Sequence, residues 1–407
     1  GHCNTHSFND MAHLGAHPMY QVLYSGYDTL DIAFSGAFPH TVLESLEAAR
    51  TDAESFEKDQ PAEIGPDNVP VLVKPTGRRG GFRYVFDNGP AGAIFAAKKN
   101  SDPKQWNLFV SVRALRLLTL GYTGTKKWLH ETLVAMGFQI TEISINRIDF
   151  AVDILAPKFK LDIANFIAPA QAKARPYWSK ENWIESETSA PKSVLRGRRF
   201  ESVTIGTMPN RQIIVYDKRR AALDKRELYW FDAWGLDKND PAAQVWRIEI
   251  RAGRDALAKL TPTKRPYESI EAVAKGFFIK AAEEIRYLEE TNEQKNISRV
   301  PSHAMWRLLQ DTLTNLPTSP TPPLLEARAL EMLRRQRLDM AIKQGCGNLV
   351  NALILDGISP ENVATYFTHY IQKISETYQS EIGEKNFLIK SHEVHSRSKF
   401  LFPLNTE

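Results

Sequence analysis

A strict alternation of apolar and charged residues predicts a long β-strand over residues 143–154. Successive side chains of a strand point to opposite faces, so Arg147, Asp149 and Asp153 share one face and apolar residues fill the other. The pattern predicts a strand that is buried on one face and charged on the other.

A second segment, residues 245–251, repeats this pattern and places Arg247, Glu249 and Arg251 on one face. If the two strands lie near each other in one sheet, Asp149, Asp153 and Glu249 offer oxygen ligands of the kind that Mg²⁺ or Mn²⁺ prefers. The alternative is cross-strand pairing of these acids with the neighbouring arginines. Judged by spacing alone, ion pairing is the commoner arrangement.

The remaining pattern predicts two similar units, each made of strands and helices. In the first, strands are predicted over 27–35, 82–86, 93–97 and 106–113, helices over 41–58 and 125–136, and a hairpin turn at Asn88-Gly89. In the second, strands are predicted over 202–205 and 212–217, and helices over 161–167, 219–230 and 267–290. This order predicts an α+β fold, a duplicated antiparallel sheet with helices on one side.

The predicted boundaries divide the chain into four parts. Residues 1–18 are predicted to be a flexible leader, and residues 19–295 a catalytic domain of two halves, about 19–155 and 156–295. Residues 296–323, with a proline-dense end, are predicted to be a linker, because proline continues neither helix nor sheet. Residues 324–407 are predicted to form a small helical C-terminal region.

Composition narrows the class of protein. The chain has 407 residues, 43% of them hydrophobic, which is enough for a large core. We find no run of eighteen apolar residues and no signal-peptide pattern, so a cytoplasmic protein without a membrane span is predicted. The two cysteines, Cys3 and Cys346, lie in unrelated contexts, which argues against a disulfide framework.

The net charge of +4 is small, but basic residues concentrate between residues 192 and 226. A local basic patch attracts an extended polyanion such as DNA, although a solvated basic face is the commoner meaning of a charge run. The predicted DNA-binding residues are Arg196, Arg198, Arg199, Arg211, Arg219 and Arg220.

Tyr216 lies within this basic segment, near the end of a predicted strand and two residues before Lys218, Arg219 and Arg220. A phenol has an ordinary pKa of about 10, so it attacks phosphate at neutral pH only if its anion is stabilised. Lys218 follows two residues later and is expected on the same strand face, where its charge would favour the phenolate. Ile214 also shares this face, which leaves a packing role for the tyrosine as the alternative.

Three motifs in order resemble the replication initiation factor family, the rolling-circle initiators of plasmids and filamentous phages. They are NRIDFAVD at residues 146–153, VYDK at 215–218 and WRIEI at 246–250, and the resemblance extends upstream to Gly121, Tyr122 and Trp128. It covers roughly residues 27–290. The resemblance implies a duplicated antiparallel sheet like that of TATA-binding protein.

The resemblance also implies an activity: nicking one strand of an origin DNA and rejoining it. Tyr216 would form a 5′-phosphotyrosine link, Lys218 and Arg247 would assist, and Asp149, Glu249 and less firmly Asp153 would bind a divalent metal ion, Mg²⁺ or Mn²⁺. The implied partners are origin DNA in single-stranded or hairpin form, a helicase, and a second copy in a homodimer. A conjugative relaxase with the same chemistry and a non-catalytic DNA-binding copy-control protein are the alternatives.

Overall fold

The computed structural model describes residues 19–169, 177–178, 192–196, 199–260, 267, 270–289, 299–316 and 322–402. The predicted leader, residues 1–18, lies outside these ranges, as does the proline-dense stretch at residues 317–321.

The first part of the chain forms strands that lead into two helices. A predicted hairpin at Asn88-Gly89 is confirmed, with Gly89 at φ +101° joining two paired strands. The elements in chain order are β1 (Gln21–Ala37), α1 (His40–Phe56), β2 (Gln60–Ile64), β3 (Val69–Val73), β4 (Phe82–Asp87), β5 (Ala93–Lys98), β6 (Trp106–Val112) and α2 (Ala114–Ala135).

The second part opens with the long strand that the sequence predicts. The elements in chain order are β7 (Gln139–Leu155), β8 (Phe166–Ile167), β9 (Tyr177–Trp178), β10 (Lys192–Arg196), β11 (Arg199–Thr207), β12 (Arg211–Asp217), α3 (Lys218–Asp224), α4 (Tyr229–Trp234), β13 (Val245–Gly253), α5 (Arg254–Leu260), α6 (Ile270–Glu284) and β14 (Arg286–Tyr287). A single 3₁₀ turn, Ile163–Asn165, stands where a short helix is predicted.

Twelve of the described strands join one sheet in the order β2-β3-β4-β5-β6-β1-β7-β13-β12-β11-β10-β9. All neighbours are antiparallel except β9 and β10. β1 and β7 lie side by side at the centre, and in each half the last strand, β6 or β13, returns to pair with the first. This mirrored order confirms the α+β class and the duplicated antiparallel sheet, and it groups β7 with the second half.

One face of the sheet packs against a helical layer. Ile148, Phe150 and Val152 of β7 are buried there with residues of α1, α2 and α6. α7 (Ala304–Thr314) completes the layer, with Trp306 fully buried. The linker prediction for residues 296–323 is therefore wrong over α7, because the apolar stripe of this helix belongs to the core.

A smaller apolar cluster packs at one end of the opposite face. Trp230 and Trp234 of α4 lie there with Tyr24 of β1, and Leu330 of α8 (Glu326–Leu355) joins them. α8 runs without a break through Gly345 and Gly347. α9 (Val363–Ile382) and α10 (Glu384–Ser398) follow. None of the described helices combines the length and the apolar character that a membrane span requires.

Candidate active site

The charged face of the sheet gathers the predicted residues from three neighbouring strands. Tyr216 of β12 lies opposite Arg247 of β13, and Arg247 lies opposite Asp153 of β7. Further along the same strands, Arg251 lies opposite Asp149. Directly opposed residues of antiparallel strands share a face, so these side chains converge on the side away from the helical layer.

The inner end of this charge cluster is built around Arg247, whose side chain is 0% exposed. Its Nε and Nη2 donate to Asp153 at 2.6 and 2.8 Å, and its Nη1 donates to Asp28 at 2.5 Å. The guanidinium lies 4.3 Å from the centroid of the Trp230 ring. Trp234 Nε1 donates to Asp153 at 2.9 Å. This end of the cluster is a network of paired charges in which Arg247 and Asp153 are fully buried and Asp28 is partly exposed.

The outer end is more open to solvent. Arg147 Nε donates to Asp149 at 2.9 Å, and Arg251 Nε donates to Glu249 at 2.7 Å while lying 3.5 Å from Asp149. The two carboxylates are buried, whereas the Arg147 and Arg251 side chains are 17% and 24% exposed. A charged group in solvent therefore meets the guanidiniums before it meets the acids.

Tyr216 projects onto this charged face. Its hydroxyl donates to Glu249 Oε2 at 3.5 Å. Burial raises the pKa of Tyr216 well above its usual value, and among the neighbouring charges Arg247 acts most strongly to lower it. The phenol is thus neutral at physiological pH, and the cation that opposes the effect of burial is Arg247.

The strand prediction for Lys218 is wrong, because β12 ends at Asp217 and Lys218 begins α3. The Asp217 side chain caps α3 by accepting from the Arg220 backbone N–H. Lys218 Nζ lies 4.5 Å from the centroid of the Trp230 ring and 3.5 Å from Glu227. Burial lowers the pKa of Lys218, and Arg247 adds to the effect.

The two outer acids differ in protonation. Burial raises the pKa of Asp149 to about 7, although Arg147 acts against the shift. Burial would also raise the pKa of Glu249, but Arg251 and Arg247 outweigh it and hold that pKa at about 2. Glu249 is therefore the permanently charged acid next to Tyr216, and Asp149 can exchange a proton near neutral pH.

Two of the three predicted metal ligands, Asp149 and Glu249, face a common position. Asp149 and Glu249 both face the Arg251 Nε, so their oxygens point toward one position, whereas Asp153 faces Arg247 and Trp234. No group of three His, Cys, Asp or Glu side chains is arranged to hold a metal ion within the described ranges. Mg²⁺ is often held by one or two carboxylates plus substrate phosphate, and the Asp149–Glu249 pair matches that donor set.

Three of the predicted DNA-binding arginines are engaged with groups of the protein. Arg211 Nη1 donates to Glu284 at 2.7 Å, Arg219 donates to the Lys238 carbonyl at 3.0 Å, and Arg220 pairs with Asp224 at 3.0 Å. The other three are Arg196 and Arg199, whose backbones lie in β10 and β11 and whose side chains are not described, and Arg198, which is outside the described residues.

Sequence reasoning missed Asp28, Trp230 and Trp234. The register of β1 with β7 shifts between Tyr27 and Thr29, and this irregularity frees Asp28 to reach Arg247. The two tryptophans reach the cluster because the predicted helix over 219–230 is broken at Arg226, which has φ +57°. Neither break follows from hydrophobic periodicity.

The comparisons with known proteins give one structural likeness to report. No family model matches the chain, and no curated protein matches it. Among solved structures, the chain is similar to a rolling circle replication initiator protein from Geobacillus stearothermophilus, with 15% sequence identity and a TM-score of 0.37. The match covers 72% of this chain and 98% of that chain. At so low a TM-score, the structural likeness carries no argument about the function of this chain.

Proposed function

We propose that this chain initiates rolling-circle replication by nicking one strand of an origin DNA and later rejoining it. The observation that carries the proposal is the contact between the Tyr216 hydroxyl and Glu249, 3.5 Å apart on a charged sheet face. The motif resemblance around residues 146–153, 215–218 and 246–250 supports it, because these segments supply the strands of the cluster.

The proposed reaction exchanges one phosphodiester for another. The Tyr216 oxygen attacks phosphorus and the bond from phosphorus to the 3′ oxygen breaks, which leaves a 5′-phosphotyrosine and a free 3′-hydroxyl. The phenolic proton is released to water, because Glu249 stays ionised, and the departing 3′ oxygen takes up a proton from water. In the reverse reaction a 3′-hydroxyl attacks the phosphotyrosine and restores the DNA strand.

The basic residues have two proposed roles. Arg247, and more weakly Lys218, stabilise the charge that develops on the Tyr216 oxygen, in a buried setting where electrostatic effects are strong. Arg147 and Arg251, partly exposed at the outer end, bind the oxygens of the scissile phosphate.

We also propose that Asp149 and Glu249 hold Mg²⁺ or Mn²⁺ when DNA is bound. A bound divalent ion supplies positive charge to the phosphate oxygens as the phosphorus is attacked. Arg251 would then move from its place between the two carboxylates to the phosphate. Asp153 is assigned to positioning Arg247 instead, because both of its oxygens accept hydrogen bonds from buried donors.

The proposed partners follow from the same activity. Origin DNA, single-stranded or in a hairpin, would contact Arg196, Arg198 and Arg199 in addition to the cluster. A helicase to open the duplex and a homodimer remain predictions of the resemblance, and a cytoplasmic location remains a prediction from the composition.

A second candidate function is DNA binding without cleavage. It is favoured by the complete pairing of Asp149, Asp153 and Glu249 with arginines and by the raised pKa of Tyr216. In that case the cluster is a stabilising ion-pair network and Tyr216 never forms a covalent bond.

A covalent trapping experiment decides between the two. The full chain is incubated with single-stranded origin oligonucleotides and Mn²⁺, and complexes that survive boiling in detergent are counted. Nicking predicts an adduct that is lost in Tyr216→Phe and retained in Tyr27→Phe, whose ring packs on the opposite sheet face against Phe150. An adduct that persists in Tyr216→Phe would refute the assignment of the nucleophile.

A further inference from the structure

The charged sheet face continues beyond the cluster into the first half of the molecule. Arg147 of β7 lies opposite Asp31 of β1, and Asp31 lies opposite Ser111 of β6, whose hydroxyl donates to it at 2.6 Å. Phe109 stands two residues from Ser111 and therefore shares this face. The surface next to Arg147 thus runs without interruption toward β6, β5 and β4.

Two aromatic rings lie on this continuation. The Phe82 and Phe109 rings, both partly exposed, have centroids 6.3 Å apart. The Arg78 guanidinium, carried by the segment between β3 and β4, lies 4.3 Å from the Phe109 centroid. Lys98, opposite Phe82 in the sheet, places its ammonium group 5.3 Å from the Phe82 centroid. We call Arg78, Phe82, Lys98 and Phe109 the aromatic-basic patch.

The cations of the patch are not neutralised by any described residue. In the part of the chain that the structure describes, no carboxylate forms an ion pair with Arg78 or Lys98. Arg83 and Lys99, which stand beside the patch in sequence, both pair with Glu47 of α1. The patch therefore keeps two positive charges for an external anion, whereas the two neighbouring cations share the one carboxylate of Glu47.

We infer that the aromatic-basic patch binds single-stranded DNA, an assignment that rests on the proposed nicking function. Unpaired bases stack on aromatic rings, and cations next to the rings hold the phosphate backbone. β6 is two strands from β7, about 10 Å at the usual strand spacing, so a strand held at Phe109 can continue to Arg147. Duplex DNA has no free base faces to offer these rings.

The test measures binding without cleavage. The affinity of the full chain for a fluorescein-labelled oligothymidylate is measured by anisotropy in a Tyr216→Phe background, so that no covalent product forms. The double substitution Phe82→Leu with Phe109→Leu keeps apolar side chains but removes the rings, and it is expected to weaken binding about tenfold or more. Thermal unfolding of the same variants shows whether they remain folded.

A second pair of variants tests the charges. Arg78→Gln with Lys98→Gln is expected to reduce the slope of log affinity against log salt by about 1.4, since each single-strand phosphate contact contributes about 0.7. The matched control is Arg83→Gln with Lys99→Gln, which removes the same number of cations from a pair that shares the Glu47 carboxylate and should reduce the slope by no more than about 0.7.

The inference is overturned if folded Phe82 and Phe109 variants bind the oligothymidylate like the parent protein, or if duplex of the same length binds the patch equally well. Its failure can be told apart from failure of the nicking proposal. Adduct formation by the wild-type chain together with unchanged binding in the phenylalanine variants overturns the patch alone. Weakened binding in those variants together with no adduct overturns nicking alone.

Discussion

Replacing Arg247 by methionine tests whether the inner end of the cluster is one interdependent network. Methionine keeps much of the apolar stem but removes the donors that Asp153 and Asp28 accept from. Both acids would then lose the cation that lies over the Trp230 ring. Burial already raises the pKa of Asp28 with Arg247 in place, so removal of Arg247 should raise it further.

The size of the effect follows from burial. Removing one partner of a buried ion pair costs about 3–5 kcal/mol, because the other charge is left uncompensated in a poorly solvated place. Arg83 offers the matched comparison, since its pair with Glu47 is solvated and its side chain is 41% exposed. Arg83→Met should cost much less, because solvated ion pairs contribute little to stability.

The assay is urea unfolding followed by tryptophan fluorescence, to which Trp230 and Trp234 contribute from within the network. Adding Asp153→Asn to Arg247→Met should recover part of the loss, because one of the two orphaned acids then becomes neutral. If Arg247→Met lowers the free energy of unfolding no more than Arg83→Met does, the account of the cluster as a buried network is refuted.

Three other predictions concern the stability of the fold. Trp234→Phe removes the donor to Asp153 and should lower the free energy of unfolding by about 1–3 kcal/mol in the same urea assay. Gly206→Ala, at φ +93° with an added Cβ against the Arg211 carbonyl, should cost at least about 1–3 kcal/mol and disturb the β11–β12 turn, as amide hydrogen exchange would show. Hydrogen bonds from its arginine and tyrosine partners lower the pKa of Glu47 from 4.5 to about 2. Its contribution to stability is therefore present above about pH 4.5 and lost as the pH falls through about 2. Thermal melts at several pH values should show that the melting temperature of Glu47→Gln no longer has this component of the fall at acid pH.

The sequence predicted which residues share the charged face, because the two-residue period of a strand is read directly from the order of residues. It therefore placed Asp149, Arg247 and Glu249 together on that face. It failed at Lys218, where the strand passes into α3 one residue earlier than the alternation suggests. Where a strand passes into a helix, the two-residue period of the side chains ends. The residues beyond Asp217 therefore cannot be assigned to a face of the strand.

The position of Asp28 and the continuity of α8 could not be predicted from the sequence, for a different reason. Asp28 joins the cluster through a register irregularity, and α8 is continuous although it contains Gly345 and Gly347. Strand pairing sets the position of Asp28, whereas Gly345 and Gly347 are exposed and no neighbouring group explains why the helix continues through them. The pKa of Tyr216 likewise depends on packing, because burial raises it and the neighbouring cation lowers it. The sequence alone therefore suggested a stabilised phenolate, whereas the structure has a neutral phenol.

The most direct test of the central claim is the identity of the residue that carries DNA after the reaction. Trypsin cuts after Arg211 and Lys218, so Tyr216 lies in a peptide of residues 212–218 whose mass is easily resolved. After nuclease digestion of a trapped complex, we expect this peptide to carry a nucleotide phosphate on its tyrosine. A nucleotide on any other peptide, or no modified peptide from a reaction that nicks DNA, would contradict the account.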